Sequence, residues 1–467
     1  MSPQVMNDDK MKDTKEKPLM TWEQVSKHNT QESCYIVIEG FVYDVTKWLD
    51  RHPGGSKVLT NMAGVDCTDV FNAYHTHEVR KSLKYYKIGK LDGYTVTPMV
   101  KEFRELAETI ENSPLMKTRS SFYFKLYAWC AFLLASTITL VLNYKDNFWM
   151  GTVLSGVLMA VYFQQIAFIG HDMAHGSVCN DHQNAKYVGF LLGNVFTGIS
   201  MGWWKATHNA HHVTTNVVTA DPDIQHLPVF ALSSKYFESP YSTYHNRVLE
   251  YDAVAKFLVP IQCYLFYIVM AIARVNLYGQ SYVFLLSGEK KVGAKIGPPT
   301  IWNERLFEVL GMVGFATWFG TLCSCLPKTS WIVAFFLISH LLAGILHVQI
   351  NMSHWAMPTI NDSTNHPLKN ESFLEHQTST TCDIDNHPIF DWFHGGLNFQ
   401  VPHHILPRVP RHNLRELQGI LKTFCSKHNV NYTTFGFVGA NMQVIKRLNA
   451  VSNEAKREMI SDLMNLT

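Results

Sequence analysis

The sequence has almost no net charge, because 40 lysines and arginines are balanced by 38 aspartates and glutamates, which leaves a formal charge of +2. Nucleic-acid-binding proteins normally carry a pronounced basic excess, so no nucleic-acid partner is expected. The nine cysteines fall into neither a paired zinc-binding spacing nor an evident disulfide framework. Their scatter indicates reduced thiols and argues against a secreted protein held together by disulfides.

A cleavable signal peptide is not expected either, since the first twenty residues are polar and rich in lysine. We therefore expect the amino terminus to be cytosolic. Residues 1–17 are charged and contain no aromatic residue, a composition typical of disorder. The predicted organisation is a disordered tail (1–17), a small ordered domain (18–95), a linker (96–118) and a large carboxyl-terminal domain (119–467).

Long apolar runs characterise the carboxyl-terminal domain. Four of them approach the ~20 residues that cross a bilayer, at 122–142, 148–170, 306–326 and 331–350. Polar turns join the first two and the last two, which predicts four transmembrane helices in two hairpins. These turns hold only Lys145 and Lys328, whereas basic residues are frequent at the opposite ends of the runs. The basic side is expected to be cytosolic.

Two further apolar stretches are predicted to stay on the cytosolic side. Residues 187–204 are short and end in Trp203-Trp204, an interfacial signature, so they are interpreted as a half-buried helix. Residues 257–286 are long enough to span, but Arg274 in their middle would cost a few kcal/mol in lipid. We interpret that stretch as an interfacial helix.

Histidines gather in three short clusters at helical spacing. They comprise His171 and His175; His208, His211 and His212; and Gln400, His403 and His404. Residues three or four apart share a helix face, so each cluster is expected to aim its side chains at one point. Neutral imidazole binds iron, copper, zinc and nickel, so the pattern predicts a metal centre without naming the metal. One such cluster among 23 histidines could be chance, but three make chance a poor explanation.

A separate pair of ligands is predicted in the amino-terminal domain. Two β-branched and aromatic runs flank residues 39–40, which predicts a hairpin. A His-Pro-Gly-Gly turn beginning at His52 projects one imidazole, and His75 follows in the next helical segment. Two axial histidines make a six-coordinate haem without an open oxygen site, which suits electron transfer. His77 is the alternative second ligand, although the aromatic residue before His75 favours His75.

Residues 18–92 resemble cytochrome b5, through this motif, the downstream histidine and the closing Tyr-Tyr-Lys-Ile-Gly sequence at 85–89. The resemblance implies a small α+β domain that binds haem b through His52 and His75. NADH-cytochrome b5 reductase is then the expected electron donor. Acidic residues near the haem edge could receive a basic reductase: Asp50, Asp66, Asp69 and Glu78.

The chain from 18 to about 450 resembles the front-end desaturases. In that family a cytochrome b5 domain precedes a membrane domain, and glutamine replaces the first histidine of the third cluster. Gln400 occupies that position here. The Glu-x-x-His motif of soluble carboxylate-bridged di-iron proteins is absent. The resemblance implies a multi-domain protein, with an α-helical integral membrane desaturase domain and a cytosolic His-rich di-iron cap. The catalytic ligands of two non-haem iron ions (Fe2+) would be the seven clustered histidines and Gln400, with O2 as the oxidant.

Members of this family carry one more histidine ligand before the third cluster. His354 and His347 are both candidates, and His354 is preferred because it follows the membrane helix and adjoins Trp355, interpreted as interfacial. Polar residues near the clusters could orient ligands or touch substrate: Asp172, Asn209, Asp221, Asp223, Gln377 and Asp391. Isolated histidines are expected at the surface: His226, His376, His387, His394, His412 and His428.

Several stretches look closer to sphingolipid Δ8 desaturases than to Δ6 or Δ5 acyl enzymes, among them 203–212, 221–230 and 395–400. Pro402 also stands where many acyl enzymes have glutamate. The expected reaction is O2-dependent insertion of a double bond at Δ8 of the sphingoid long-chain base of ceramide, in the endoplasmic reticulum membrane. The alternatives are a front-end fatty acyl desaturase, such as a Δ6 enzyme of polyunsaturated fatty acid synthesis, a lipid hydroxylase, and a non-catalytic haem-binding membrane protein.

Overall fold

The structure is a computed structural model that describes residues 18–178, 187–287, 301–361, 367–369 and 371–465. The predicted tail, 1–17, lies outside the described residues. An amino-terminal α+β domain is followed by a helical domain with several long apolar helices.

A four-stranded sheet forms the amino-terminal domain, with the order β1-β4-β3-β2. Its strands are β1 (Leu19–Met20), β2 (Tyr35–Ile38), β3 (Phe41–Asp44) and β4 (Lys87–Leu91). The antiparallel β2–β3 pair turns at Glu39 and Gly40, which both have positive φ angles, of 52° and 73°. Paired positive φ values match the twist of a tight hairpin, and the predicted hairpin is confirmed.

Short helices cover this sheet: α1 (Trp22–Ser26), α2 (Ser56–Asn61), α3 (Thr68–Tyr74) and α4 (His77–Arg80). Helix α5 (Pro98–Glu111) follows within the stretch interpreted as a linker. It begins where the Thr97 hydroxyl accepts a hydrogen bond from Val100 N and Pro98 pre-sets the first turn. Phe103 and Ile110 are buried against the carboxyl-terminal domain, so this stretch is a packed helix.

The carboxyl-terminal domain is mainly helical. Its α-helices are α6 (Ser120–Asn143), α7 (Ser155–Ala174), α8 (Met201–Val213), α9 (Ala253–Leu258), α10 (Gln262–Ser287), α11 (Ile301–Ser324), α12 (Thr329–Ala343), α13 (Ile345–Met352), α14 (Phe373–Thr380), α15 (Asp391–His394), α16 (Gln400–Ile405), α17 (Leu414–Lys427) and α18 (Phe437–Asn465). A π-helical segment, Phe148–Leu154, leads into α7. The short strands are β5 (Tyr241–Ser242), β6 (Arg247–Val248), β7 (Asp383–Asp385) and β8 (Thr434–Gly436).

Five stretches among the described residues are long and apolar enough to cross a membrane: Pro114–Asn143, Phe148–Ala174, Ala253–Leu286, Arg305–Ser324 and Thr329–Met352. Four coincide with the predicted runs. Large apolar side chains are exposed along α6, α10, α11 and α12, including Phe132, Ile268, Leu310 and Leu337. An exposed apolar surface of this extent fits contact with lipid.

The remaining stretch, Ala253–Leu286, contains α10, which the sequence placed at the interface because of Arg274. Arg274 is buried, donates to Thr197 O (2.7 Å) and the Tyr278 hydroxyl (2.9 Å), and lies 3.9 Å from the centre of the Phe163 ring. Its charge therefore does not face lipid. The expected cost of a lipid-exposed arginine no longer argues against a crossing.

The two hairpins have their turns at the same end. Phe148 and Trp331 each follow a turn, and their ring centroids lie 5.3 Å apart. The histidine-bearing end of α7 and the end of α13 lie at the opposite side. Helix α10 ends beside the start of α11, where Arg305 Nε donates to Leu285 O at 2.9 Å.

The stretch 187–204 is not one helix, contrary to expectation. A π-helical segment, Leu191–Val195, ends near Gly198, whose φ of +71° breaks the chain before α8 begins. A Cβ at Gly198 would lie 2.4 Å from the Phe315 ring, so only glycine allows this close approach. The interfacial interpretation of the neighbouring tryptophans is wrong as well, because Trp203 is buried and Trp204 stacks on His208 at 4.3 Å.

Candidate metal centres

His52 and His75 face each other in the amino-terminal domain, with ring centroids 6.0 Å apart. Each Nδ1 is paired with a backbone carbonyl, Gly55 O at 2.9 Å and Phe71 O at 3.0 Å, which leaves both Nε2 atoms for a ligand. An imidazole nitrogen binds a metal at about 2 Å, so the gap fits one metal atom held axially from both sides. His77, the alternative, is exposed.

Burial lowers the pKa of both imidazoles, and that of His75 falls to about 4. Both side chains are therefore neutral near pH 7, the state in which imidazole binds metal. His75 directly follows α3, whose last turn holds its ring through Phe71.

The three histidine clusters converge in the carboxyl-terminal domain and divide into two groups. In the first group, the ligand atoms of four histidines lie within 4.8 Å of one another: His171, His175, His208 and His403. In the second, the same limit joins His211, His354 and His404. Helices α7, α8 and α16 supply these side chains, with His354 following α13.

His212 and Gln400 complete this arrangement. His212 lies between the groups, with its Nε2 at 3.0 Å from His208 Nε2 and its ring stacked on His404 at 4.0 Å. Gln400 is buried beside His354. Pro402 occupies the first turn of α16, where proline is tolerated.

Buried imidazole nitrogens mark this region, and several of them have no hydrogen-bond partner among the described residues. They include Nε2 of His171, His403 and His404 and Nδ1 of His212 and His354. Burial, followed by neighbouring imidazoles, holds the pKa values of His208, His212, His403 and His404 well below the usual range. Buried polar atoms normally have partners, so converging neutral imidazoles with free nitrogens fit a two-metal site.

Two family models match this chain, "Cytochrome b5-like Heme/Steroid binding domain" over residues 21–92 and "Fatty acid desaturase" over residues 147–436. A "Delta(8)-fatty-acid desaturase" of Helianthus annuus is 37% identical, over 94% of this chain and 93% of its own length. The chain belongs to the fatty acid desaturase family. The desaturase is therefore an oxidoreductase with a fused cytochrome b5 domain, which confirms the resemblances inferred from its sequence.

Other relatives carry related names. A "Delta(8)-fatty-acid desaturase 2" of Arabidopsis thaliana is 35% identical over 98% of both chains. A "Delta 8-(E)-sphingolipid desaturase" of Komagataella phaffii is 30% identical over 90% of this chain and 91% of its own length. The desaturase thus resembles both plant and fungal Δ8 enzymes along nearly its whole length.

His211 of the desaturase is oriented by a buried carboxylate. Its Nδ1 lies 2.9 and 3.0 Å from the two oxygens of Asp221, which also accept hydrogen bonds from Asn216 N and Asp223 N. Burial alone would lower the pKa of His211, but Asp221 and Asp223 outweigh it and raise the pKa to about 9. Asp221 thus fixes the ring with Nδ1 protonated and Nε2 turned toward the second group.

Asp221→Asn should lower desaturase activity roughly 10–100-fold, the usual cost of losing an outer partner of a metal ligand. The asparagine amide cannot accept all the hydrogen bonds that both carboxylate oxygens now accept. Lipid product and bound iron in the purified protein would be measured together. Asp223→Asn is the matched control, because Asp223 Oδ2 lies 3.9 Å from His211 Nδ1, too far for a hydrogen bond. Equal losses in both variants would contradict a specific role for Asp221.

Gln377 orients His404, another histidine of the second group. Its Oε1 lies 3.0 Å from His404 Nδ1, and its amide donates to His212 O at 2.9 Å. The Thr215 hydroxyl lies 3.2 Å from the same His404 nitrogen. The capping box of Ser372 and Glu375 at the start of α14 fixes the helix that carries Gln377.

Other residues singled out from the sequence lie elsewhere. Asp172 Oδ1 is 3.6 Å from His171 Nδ1, and this carboxylate is instead bound by Arg411 and the Tyr123 hydroxyl. Asp391 binds Arg415. His347 lies against the backbone of α10 and joins neither group among the described residues.

Three surface or interfacial expectations are wrong. Trp355 is 1% exposed and packs against Phe230 and Phe266. His376 and His394 are buried, and His376 Nδ1 pairs with Glu371 at 3.0 Å. Their burial depends on distant segments, so local polarity did not reveal it.

Glu308 is a positioning residue that sequence reasoning missed. It is buried in α11 and accepts hydrogen bonds from the Ser200 hydroxyl and Gly202 N at the start of α8, and from Asn194 Nδ2 of the preceding π-helical segment. A carboxylate stabilises the amino-terminal end of a helix, and α8 carries three of the clustered histidines. The available signal was an acidic residue inside an apolar run, which is rarely placed there without a function.

Proposed function

We propose that the desaturase inserts a double bond at Δ8 of the sphingoid long-chain base of ceramide, with O2 as oxidant and water as the reduced product. The proposal rests above all on the convergence of eight imidazoles and Gln400 at the ends of two apolar helical hairpins. This position lets a lipid chain approach from the membrane side while the metal ligands stay in a packed, water-poor region.

Two iron ions are the metals we propose for the two groups. Bound iron would supply the reductive activation of O2 that removes two hydrogens from adjacent methylenes. The first ion would be held by His171, His175, His208 and His403, and the second by His211, His354 and His404. His212 would bridge the region between them, and Gln400 would act beside His354. Asp221 and Gln377 orient His211 and His404 through their Nδ1 atoms.

The Δ8 position is supported by plant and fungal relatives whose names share it, and the sphingoid substrate by the fungal relatives. Fungal relatives are named sphingolipid desaturases, and the plant ones fatty-acid desaturases. A fatty acyl substrate is the second candidate. It is favoured by an "Acyl-lipid (9-3)-desaturase" of Borago officinalis, 34% identical over 94% of this chain.

Expression of the full chain in a yeast poor in desaturases would test the proposal. Sphingoid bases and fatty acids would be analysed by mass spectrometry in the same cultures, beside an empty-vector strain. We expect a Δ8-unsaturated long-chain base. New unsaturation confined to fatty acids would replace the proposal with the acyl alternative, and a hydroxylated product would indicate a hydroxylase.

We also propose that electrons reach haem b, held by His52 and His75, from NADH-cytochrome b5 reductase. Two of the acidic residues expected to receive the reductase, Asp66 and Asp69, are paired with Arg104 of α5 at 3.2 and 2.7 Å. A reductase that uses these carboxylates would have to displace Arg104.

The location we propose is the endoplasmic reticulum membrane, with four crossings and both metal regions cytosolic. The shared end of the two hairpin turns supports this topology. Helix α10 fits it as an interfacial element, because its start contacts Ala231 and its end contacts the start of α11. Both of these contacts lie away from the hairpin turns.

This topology predicts that the glycosylation sequons at Asn361 and Asn370, two of the five N-x-S/T sequences in the chain, remain unmodified because both would be cytosolic. Asn361 Oδ1 accepts a hydrogen bond from Ser233 at 2.8 Å, and Asn370 lies outside the described residues. Treatment of microsomal protein with an endoglycosidase should leave its electrophoretic mobility unchanged. A sequon added within the 143–147 turn is the positive control, and glycan at either native site would refute the topology.

A further inference from the structure

The cytochrome b5 domain is docked on the desaturase domain through an apolar and polar interface. Val213 and Phe373, at the ends of α8 and α14, pack into the same apolar cluster as Val58 and Met62 of the haem domain. Arg408 Nε donates to Ala73 O at 3.0 Å. The two predicted metal regions therefore lie next to each other.

Tyr74 occupies the contact between these regions. It directly precedes His75, and its ring meets the His212 ring edge-on, with centroids 6.1 Å apart. The ring is half-buried, and its hydroxyl is buried without a hydrogen-bond partner among the described residues. One aromatic side chain thus links the neighbour of a haem ligand to an imidazole between the two iron groups.

We propose that the Tyr74 ring is the bridge through which electrons pass from the haem held by His75 to the two iron groups between which His212 lies. This inference rests on the proposed function. In each transfer one ferrous haem is oxidised to ferric haem, and one ferric non-haem iron is reduced to ferrous iron. The tyrosine is neither oxidised nor reduced, and no proton moves.

The surroundings of the hydroxyl support a role for the ring alone. Oxidation of a tyrosine requires a nearby acceptor for the phenol proton, and the Tyr74 hydroxyl has none among the described residues. A buried hydroxyl without a partner costs stability. Phenylalanine at this position removes the hydroxyl and keeps the ring, so it is expected to preserve the electron bridge.

The test compares Tyr74→Phe with Tyr74→Leu and Tyr74→Met in purified full-length protein loaded with haem and iron. Leucine and methionine remove the ring but largely fill its space. The haem would be reduced anaerobically with NADH and catalytic cytochrome b5 reductase, then mixed with O2 and ceramide. Haem reoxidation would be followed by stopped-flow absorbance.

We expect the haem of Tyr74→Phe to reoxidise at the wild-type rate. In both ring-free variants, haem reoxidation should be at least roughly tenfold slower, which is within the range that misplacing a reacting group can cost. Haem spectrum, iron content and the rate of haem reduction should not change. Tyr86→Leu is the matched control, because Tyr86 lies in the same apolar cluster but contacts Trp48 of its own domain.

A small-molecule reductant that reaches the iron directly separates electron transfer from structure. With that reductant, Tyr74→Leu should form as much lipid product as the wild type. Wild-type reoxidation rates in both ring-free variants, or failure of the reductant to restore product, would overturn the bridge. If the wild-type haem showed no reoxidation dependent on O2 and lipid, the proposed function would fall, and the bridge with it.

Discussion

His208→Ala should abolish lipid desaturation while leaving the haem domain intact. His208 Nε2 lies 3.0 Å from both His175 Nε2 and His212 Nε2, so its ring is central to the converging imidazoles. Removing a direct ligand should cost more than the roughly 10–100-fold that loss of an outer partner costs. Product formation in yeast, and iron and haem per purified chain, would be measured.

The matched control is His387→Ala, which removes an exposed imidazole from a loop. That ring caps a short turn by accepting a hydrogen bond from Ile389 N, and we expect near-normal product and iron. The haem absorbance should be the same in both variants. Full desaturation by His208→Ala with normal haem would refute the metal-site assignment.

The histidine clusters could be found from spacing, but their division into two groups could not. Each cluster was expected to aim at one point, yet His208 and His211 belong to different groups, as do His403 and His404. Successive residues are separated by about 100° around a helix, so adjacent histidines must diverge.

Helices and their turns were predictable because apolar runs and polar interruptions are local signals. The environments of Trp355, Arg274 and His376 were not, since each is buried by segments far away in the sequence. Arg274 illustrates the limit. Its sequence context predicted an interfacial helix, because a charge in lipid would be costly, whereas Thr197 and Tyr278 bind this charge inside the protein.

Domain docking was equally invisible in the sequence. Lys57 of the haem domain is 4% exposed and donates to Thr243 O and Asn246 of the other domain. Helix α5, interpreted as a linker, reinforces the contact through Arg104. The linker residues therefore hold the two domains in one arrangement.

His75→Ala should eliminate NADH-driven desaturation by the purified protein. It should lose haem and keep non-haem iron, whereas His208→Ala should keep haem. The His75→Ala variant should lose the haem absorbance, because His52 alone supplies one ligand, while non-haem iron stays near the wild-type amount. Purified protein is required, since a yeast cell contains its own cytochrome b5. His77→Ala is the matched control: His77 is exposed two residues further on, and its loss should leave haem and product unchanged. Haem loss in His77→Ala but not in His75→Ala would reverse the ligand assignment, and undiminished turnover without haem would refute the fused domain as the electron donor.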